Sequence, residues 1–198
     1  MSYFTEFWPS DNTDPIERLF IQWGFSQVFP AKTMCAHVTT WNKNSSVKFR
    51  TDVAMMCKLG FDIKLADMSK DDETYCRTAV QNYNRLKPVV LEGDMYRLVS
   101  PYGSNHTSTM YVGKDKDKAV VFAFDIHPRY AEKTLPVRLQ GLDADKMYRV
   151  KEINLMPGAN SSLSGNGEVF SGEFLMNVGL NLFTTQQLNS RVVEVVAE

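Results

Sequence analysis

The first 88 residues set apolar side chains at helical spacing between short apolar runs. Ile16, Leu19, Phe20 and Trp23 fall at i, i+3, i+4 and i+7, which places them on one face of a helix. Asp14-Pro15-Ile16-Glu17 opens that helix, with Asp as N-cap, Pro at the first helical position and Glu three residues after the cap. Gly24 is expected to end it. Phe49, Val53, Met56 and Leu59 fall near the same spacing behind Ser46, with Gly60 as the expected stop. A third helix is predicted from Ser69, supported by Asp72, through Ala79, Val80, Tyr83 and Leu86 as far as Pro88. Residues 25–29 and 34–38 are short enough for buried strands, so strand and helix alternate and residues 1–88 read as an α/β unit.

From Val89 onward the pattern becomes β-rich and often alternating. Strands are expected at 96–99, 108–112, 118–126, 137–139, 148–153, 174–178 and 191–196. Pro101-Tyr102-Gly103, Pro157-Gly158 and Gly165-Asn166-Gly167 supply turns between them. Short strands at this spacing predict an antiparallel β-sandwich over residues 89–198. The fold class is therefore α/β plus all-β.

Composition narrows the function classes. Twenty-two Lys+Arg against 23 Asp+Glu give a net charge of -1, which leaves no basic footprint for nucleic acid. Apolar runs such as 119–124 fall far short of the roughly 20 residues that a membrane span requires. Cys35, Cys57 and Cys76 form an odd set without C-x-x-C, read as small buried hydrophobes rather than a disulfide framework. The first six residues carry neither a basic nor an apolar leader pattern.

The densest polar cluster is Trp8-Pro9-Ser10-Asp11-Asn12-Thr13-Asp14, where a strand is expected to hand over to a helix. In α/β barrels that junction faces the substrate. Asp14 is accounted for by the cap. Asp11 has no such task and follows an aromatic residue, Trp8, that could floor a sugar site; a solvated turn aspartate is the competing reading. His37 ends an expected strand and stands either at a rim or as a buried structural histidine. His106 and His127 have no partners at metal-ligand spacing. Asn44, Asn105 and Asn160 match the short glycosylation pattern, and 92–94 and 114–117 read as charged turns. There is no G-x-G-x-x-G, P-loop or G-x-S-x-G. Unaided, the residues lead to a hydrolase rim beside a β-sandwich.

The run Phe7-Trp8-Pro9-Ser10-Asp11-Asn12-Thr13-Asp14-Pro15-Ile16-Glu17-Arg18-Leu19 resembles the signature around the acid/base of the retaining α-galactosidases of glycoside hydrolase family thirty-six, the melibiases. The resemblance continues through Ile21-Gln22-Trp23-Gly24-Phe25-Ser26, Met34-Cys35-Ala36-His37-Val38 and Lys48-Phe49-Arg50-Thr51-Asp52-Val53-Ala54-Met55. In the β half it is carried by Glu92-Gly93-Asp94-Met95-Tyr96-Arg97-Leu98 and Tyr148-Arg149-Val150-Lys151-Glu152-Ile153-Asn154.

This resemblance implies that residues 1–88 are the last strands and helices of a (β/α)8 barrel and residues 89–198 its C-terminal antiparallel β-sandwich. It implies Asp11 as general acid/base, Trp8 as a substrate-binding residue, and neither metal nor organic cofactor. The implied substrates are α-galactoside oligosaccharides of melibiose and raffinose type, with no nucleic-acid or membrane partner and with self-association into a homo-oligomer. The family's nucleophile is an aspartate in a Lys-Trp-Asp motif on an earlier barrel strand, and that motif is not in this sequence. The chain is therefore expected to start part-way through the barrel and to be inactive alone, since double displacement needs two carboxyl groups. A non-catalytic sandwich or carbohydrate-binding module and an α-N-acetylgalactosaminidase are the alternatives.

Overall fold

The computed structural model describes residues 5–41 and 44–198. Its first half begins with a parallel bridge between Phe7 and Met34, closed by Cys35 N–H donating to Phe7 O at 3.0 Å. There follow α1 (Pro15–Phe25), β1 (Cys35–Thr39), α2 (Val47–Ala54), β2 (Lys58–Asp62) and α3 (Lys70–Glu92). β1 and β2 pair in parallel from Cys35↔Lys58 to Thr39↔Asp62. Phe7, β1 and β2 thus run parallel with β1 in the middle, each followed by a helix.

The helix starts follow local chemistry. Asp14 Oδ1 accepts the amides of Ile16 and Glu17 at 2.9 and 3.1 Å, and Ser46 and Ser69 cap α2 and α3 through Phe49 and Asp72 at 3.1 Å each. The stops depart from expectation. α1 passes Gly24, and the segment 25–29 keeps turning instead of forming a strand, because Phe25 and Phe29 pack on Phe7 at ring distances of 5.4 and 4.9 Å. α2 ends at Ala54, since Leu59 and Gly60 find backbone partners in β1. α3 runs through Pro88 to Glu92. The bond forfeited at the proline is offset by burial of Val89, Val90 and Leu91 on the next turn.

The second half comprises β3 (Asp94–Val99), β4 (His106–Val112), β5 (Lys118–Asp125), β6 (Met147–Ile153), β7 (Val169–Ser171), α4 (Gly172–Asn177) and β8 (Asn189–Ala197). These strands form one antiparallel sheet in the order β3-β4-β5-β8-β6-β7. The expected sandwich is corrected here: among the described residues no second sheet packs on the first. Two of the expected strands account for the difference. Residues 137–139 contribute a single bridge, Val137 to Leu180, and 174–178 lie in and just after α4, whose cap is Ser171 Oγ accepting from Phe174 N–H at 3.1 Å.

Both faces of the sheet are nevertheless covered. Val120, Phe122 and Phe124 point toward Phe49, Tyr75, Leu86 and Val90 of the helical half. Ala119, Val121 and Ala123 point the other way, onto Val137, Leu139, Leu175, Leu180 and Leu182. One buried cluster therefore runs across both halves of the chain. A buried carboxylate joins them as well: Asp52 on α2 accepts from Lys48 Nζ at 2.5 Å, Ser190 Oγ at 2.7 Å, and Tyr75 OH and Asn154 Nδ2 at 2.9 Å each.

Candidate functional site

The Trp8–Asp14 loop leaves the C-terminal end of the Phe7 strand segment and delivers the chain into α1. It is braced from within, Ser10 Oγ accepting from Asn12 N–H at 3.1 Å and Asn12 Oδ1 from Asp14 N–H at 2.9 Å. It is tied to β1 by buried Thr13, whose Oγ1 accepts from Thr39 Oγ1 at 3.0 Å and Trp41 Nε1 at 2.9 Å. Asp14 is spent on the cap, as expected. Asp11 is exposed, and its Oδ1 accepts the indole N–H of Trp8 at 3.1 Å. Trp8 thus meets Asp11 at the edge of its indole.

Trp8 is half-buried and has two ring neighbours. The His37 ring lies 4.4 Å away at 51°, and the Arg18 guanidinium carbon sits 4.6 Å from the ring centroid. Arg18 is 3% exposed; its Nη2 reaches Cys35 O at 3.4 Å, while Nε and Nη1 have no hydrogen-bond partner among the described residues. Burial pulls its pKa below the usual arginine value, with the neighbouring Cys57 and Cys35 opposing that shift. The π face of Trp8 is the environment offered to this buried cation.

His37 is not the buried histidine that was one of its two expected states. It is exposed on β1, beside Trp8, and lies across Gly60 of β2. A Cβ at Gly60 would stand 2.3 Å from His37 Cδ2, so the ring occupies its place because residue 60 has no side chain. The sequence pairs Trp8 with Asp11 in one run and offers His37 apart from them; Arg18 stands in the same run as Asp11 without a signal that marks it.

The other candidates do not join this cluster. His106 is buried in the sheet half, its Nδ1 2.8 Å from Asp125 Oδ1. Asp125 is further held by Thr184 Oγ1 at 2.6 Å and Asn189 Nδ2 at 3.0 Å. His127 is exposed and bonded to Gln187. Asn105 is engaged by Glu132. Among the described residues no three His, Cys, Asp or Glu side chains are grouped as metal ligands. Cys57 is fully buried, and burial pushes its thiol up to about 12. Asp11 is thus an exposed carboxylate anchored at one oxygen, within reach of a bound molecule.

Comparison with known proteins finds relatives for both halves of the chain. Residues 1–93 match the Melibiase family model, and residues 106–195 match the glycosyl hydrolase family 36 C-terminal domain. Alpha-galactosidase 2 of Hypocrea jecorina is 35% identical over 98% of this chain, and the match covers 25% of that protein. Alpha-galactosidase 1 of Pediococcus pentosaceus is 30% identical over 89% of this chain and 23% of its own length. The crystal structure of the GH36 α-galactosidase AgaB from Geobacillus stearothermophilus superposes with a TM-score of 0.86 at 28% identity, covering 99% of this chain and 26% of that one. A variant of AgaA from the same organism, solved in complex with stachyose, gives 0.83 at 29% identity, covering 96% and 25%. The chain spans about a quarter of the length of the relatives it matches. Along nearly its whole length, in sequence and in fold, it is related to the glycoside hydrolase family 36 α-galactosidases.

Proposed function

We propose that the chain is the C-terminal segment of an α-galactosidase that removes terminal α-D-galactosyl residues from oligosaccharides with retention of configuration. The observation that carries the proposal is the placement of Asp11: exposed, at the C-terminal end of a strand parallel to β1 and β2, in a loop braced to hold it. On this reading, residues 1–88 are the closing strands and helices of a (β/α)8 barrel. Residues 89–198, from the last turn of α3 onward, are its trailing β domain. Raffinose and stachyose, bound in solved structures of the relatives, support α-galactoside oligosaccharides as substrates.

Asp11 then acts twice. As an acid it protonates the departing glycosidic oxygen while an aspartate outside residues 1–198 attacks the anomeric carbon. As a base it takes a proton from the water that releases the galactosyl group. The reaction needs two carboxyl groups and water, and this segment supplies one of the carboxyl groups, so alone it is inactive.

The test joins residues 1–198 to the upstream part of the Hypocrea jecorina relative and compares this enzyme with its Asp11→Ala variant. Hydrolysis of raffinose is expected to fall by roughly 10²–10⁴-fold, the usual contribution of acid–base catalysis. The first chemical step with p-nitrophenyl α-galactoside is expected to fall much less, because p-nitrophenolate leaves without a proton. Unchanged raffinose hydrolysis in the variant would remove Asp11 from the mechanism.

A further inference from the structure

We infer that Trp8 is a positioning residue that aims Asp11 through its indole N–H, and that His37 and Arg18 hold the indole for that task. The inference rests on Asp11 being the acid/base. Three observations lead to it. The Trp8 Nε1–H donates to Oδ1 of Asp11 at 3.1 Å, and an indole N–H can only donate. This anchors one carboxyl oxygen and leaves Oδ2 to carry the proton to and from the sugar. The indole is in turn located by a buried cation: among the described residues Arg18 lacks hydrogen-bond partners at Nε and Nη1, and its guanidinium carbon lies 4.6 Å from the Trp8 centroid. Moving the ring would take that environment away from a charge that has little else. Finally, His37 packs on the same ring at 4.4 Å and reaches it across Gly60, a position that admits no Cβ without displacing the imidazole.

The chain of contacts therefore runs from Gly60 in β2 through His37 in β1 to Trp8, and from there to Asp11. Two strands and one helix converge on the orientation of a single exposed carboxyl group. A side chain used in this way differs from an aromatic floor beneath a sugar, whose contribution lies in its ring face and whose loss appears in substrate binding.

Trp8→Phe separates the two roles, since it keeps a flat ring and deletes the N–H. In the joined enzyme, kcat on raffinose is expected to fall roughly ten- to a hundredfold, the scale of a misplaced catalytic group, with KM within about twofold of the parent. The rate of galactosyl transfer from p-nitrophenyl α-galactoside should be nearly preserved, since its leaving group needs no proton. His37→Ala should give the same pattern more weakly. Normal raffinose turnover in Trp8→Phe with a raised KM in Trp8→Leu would make Trp8 a sugar platform and overturn the inference. Equal losses on both substrates would reduce Trp8 to a structural role and overturn it too. Asp11→Ala run beside these keeps the two claims apart. If it lowers raffinose turnover while Trp8→Phe leaves it unchanged, the positioning role alone falls; if it has no effect, the acid/base assignment falls with it. The 198-residue chain supplies an independent readout by NMR. Asp11→Ala should shift the Trp8 indole N–H resonance and leave that of Trp23 in place, and an unmoved Trp8 resonance would overturn the contact itself.

Discussion

Replacing Asp52 with alanine tests how firmly the helical half is held to the sheet. The carboxylate is fully buried, and the Lys48 side chain paired with it at 2.5 Å is 13% exposed. Removing one partner of a buried ion pair costs about 3–5 kcal/mol, because the remaining charge is left uncompensated. Three further donors lose their acceptor: Tyr75 OH, Ser190 Oγ and Asn154 Nδ2. An orphaned buried donor costs about 1–3 kcal/mol, but these groups share one small cavity and their losses do not add. The expected destabilisation is about 4 kcal/mol, with a fall in Tm of roughly 8–16 °C for a chain of this size. Asp52→Asn keeps the shape and part of the bonding and should cost about half as much. Urea unfolding followed by far-UV circular dichroism measures both variants. A loss below about 1 kcal/mol for Asp52→Ala would refute the claim that this carboxylate joins the two halves.

Three further outcomes follow from burial and backbone geometry. Burial pushes the Tyr75 and Tyr111 hydroxyls well above their ordinary value of 10.0 and the Cys57 thiol up to about 12 from 9.0. The unfolded chain releases these protons first, so their stabilisation is complete below about pH 9 and is lost as pH rises from 9 toward 12; a urea midpoint unchanged from pH 8 to pH 11 would contradict this. Gly179 has φ 88° and a Cβ there would stand 2.3 Å from Val137 O, whereas Gly158 has φ 74° with nothing within 4 Å. Gly179→Ala should therefore cost about 3 kcal/mol and Gly158→Ala about 1 kcal/mol in denaturant melts, and equal losses would refute the clash. In hydrogen exchange, amides of β5 and β8, each paired on both sides, should be slowest, and those of β2, whose described pairing is to β1 alone, faster; equally slow exchange in both halves would contradict that ranking.

What could be read from the sequence was what is decided locally. The caps at Asp14, Ser46 and Ser69 were legible because a side-chain oxygen two or three residues before an amide needs no tertiary partner. The stops were not, because Gly24, Gly60 and Pro88 are overridden by contacts with Phe7, β1 and the buried turn Val89–Leu91. The apolar run at 174–178 looked like a strand until Ser171 capped it as a helix. Asp52 sits in a polar-looking helix, and nothing near it in sequence announces that Ser190, 138 positions later, completes its burial. At the candidate site, Asp11 and Trp8 were legible from their run of residues. Their connection to His37 and Arg18 was not, because it exists only when α1, β1 and β2 close on the loop.

Mass spectrometry tests directly the proposed division between an acid/base within residues 1–198 and a nucleophile outside them. In the Asp11→Ala form of the joined enzyme, p-nitrophenyl α-galactoside should still load the nucleophile, while release to water, which lacks its base, becomes slow. Acid quenching and proteolysis should then find one hexosyl unit on an aspartate-bearing peptide from the upstream part. A hexosyl unit on any peptide of residues 1–198, or full turnover with no trapped species, would contradict the assignment of Asp11.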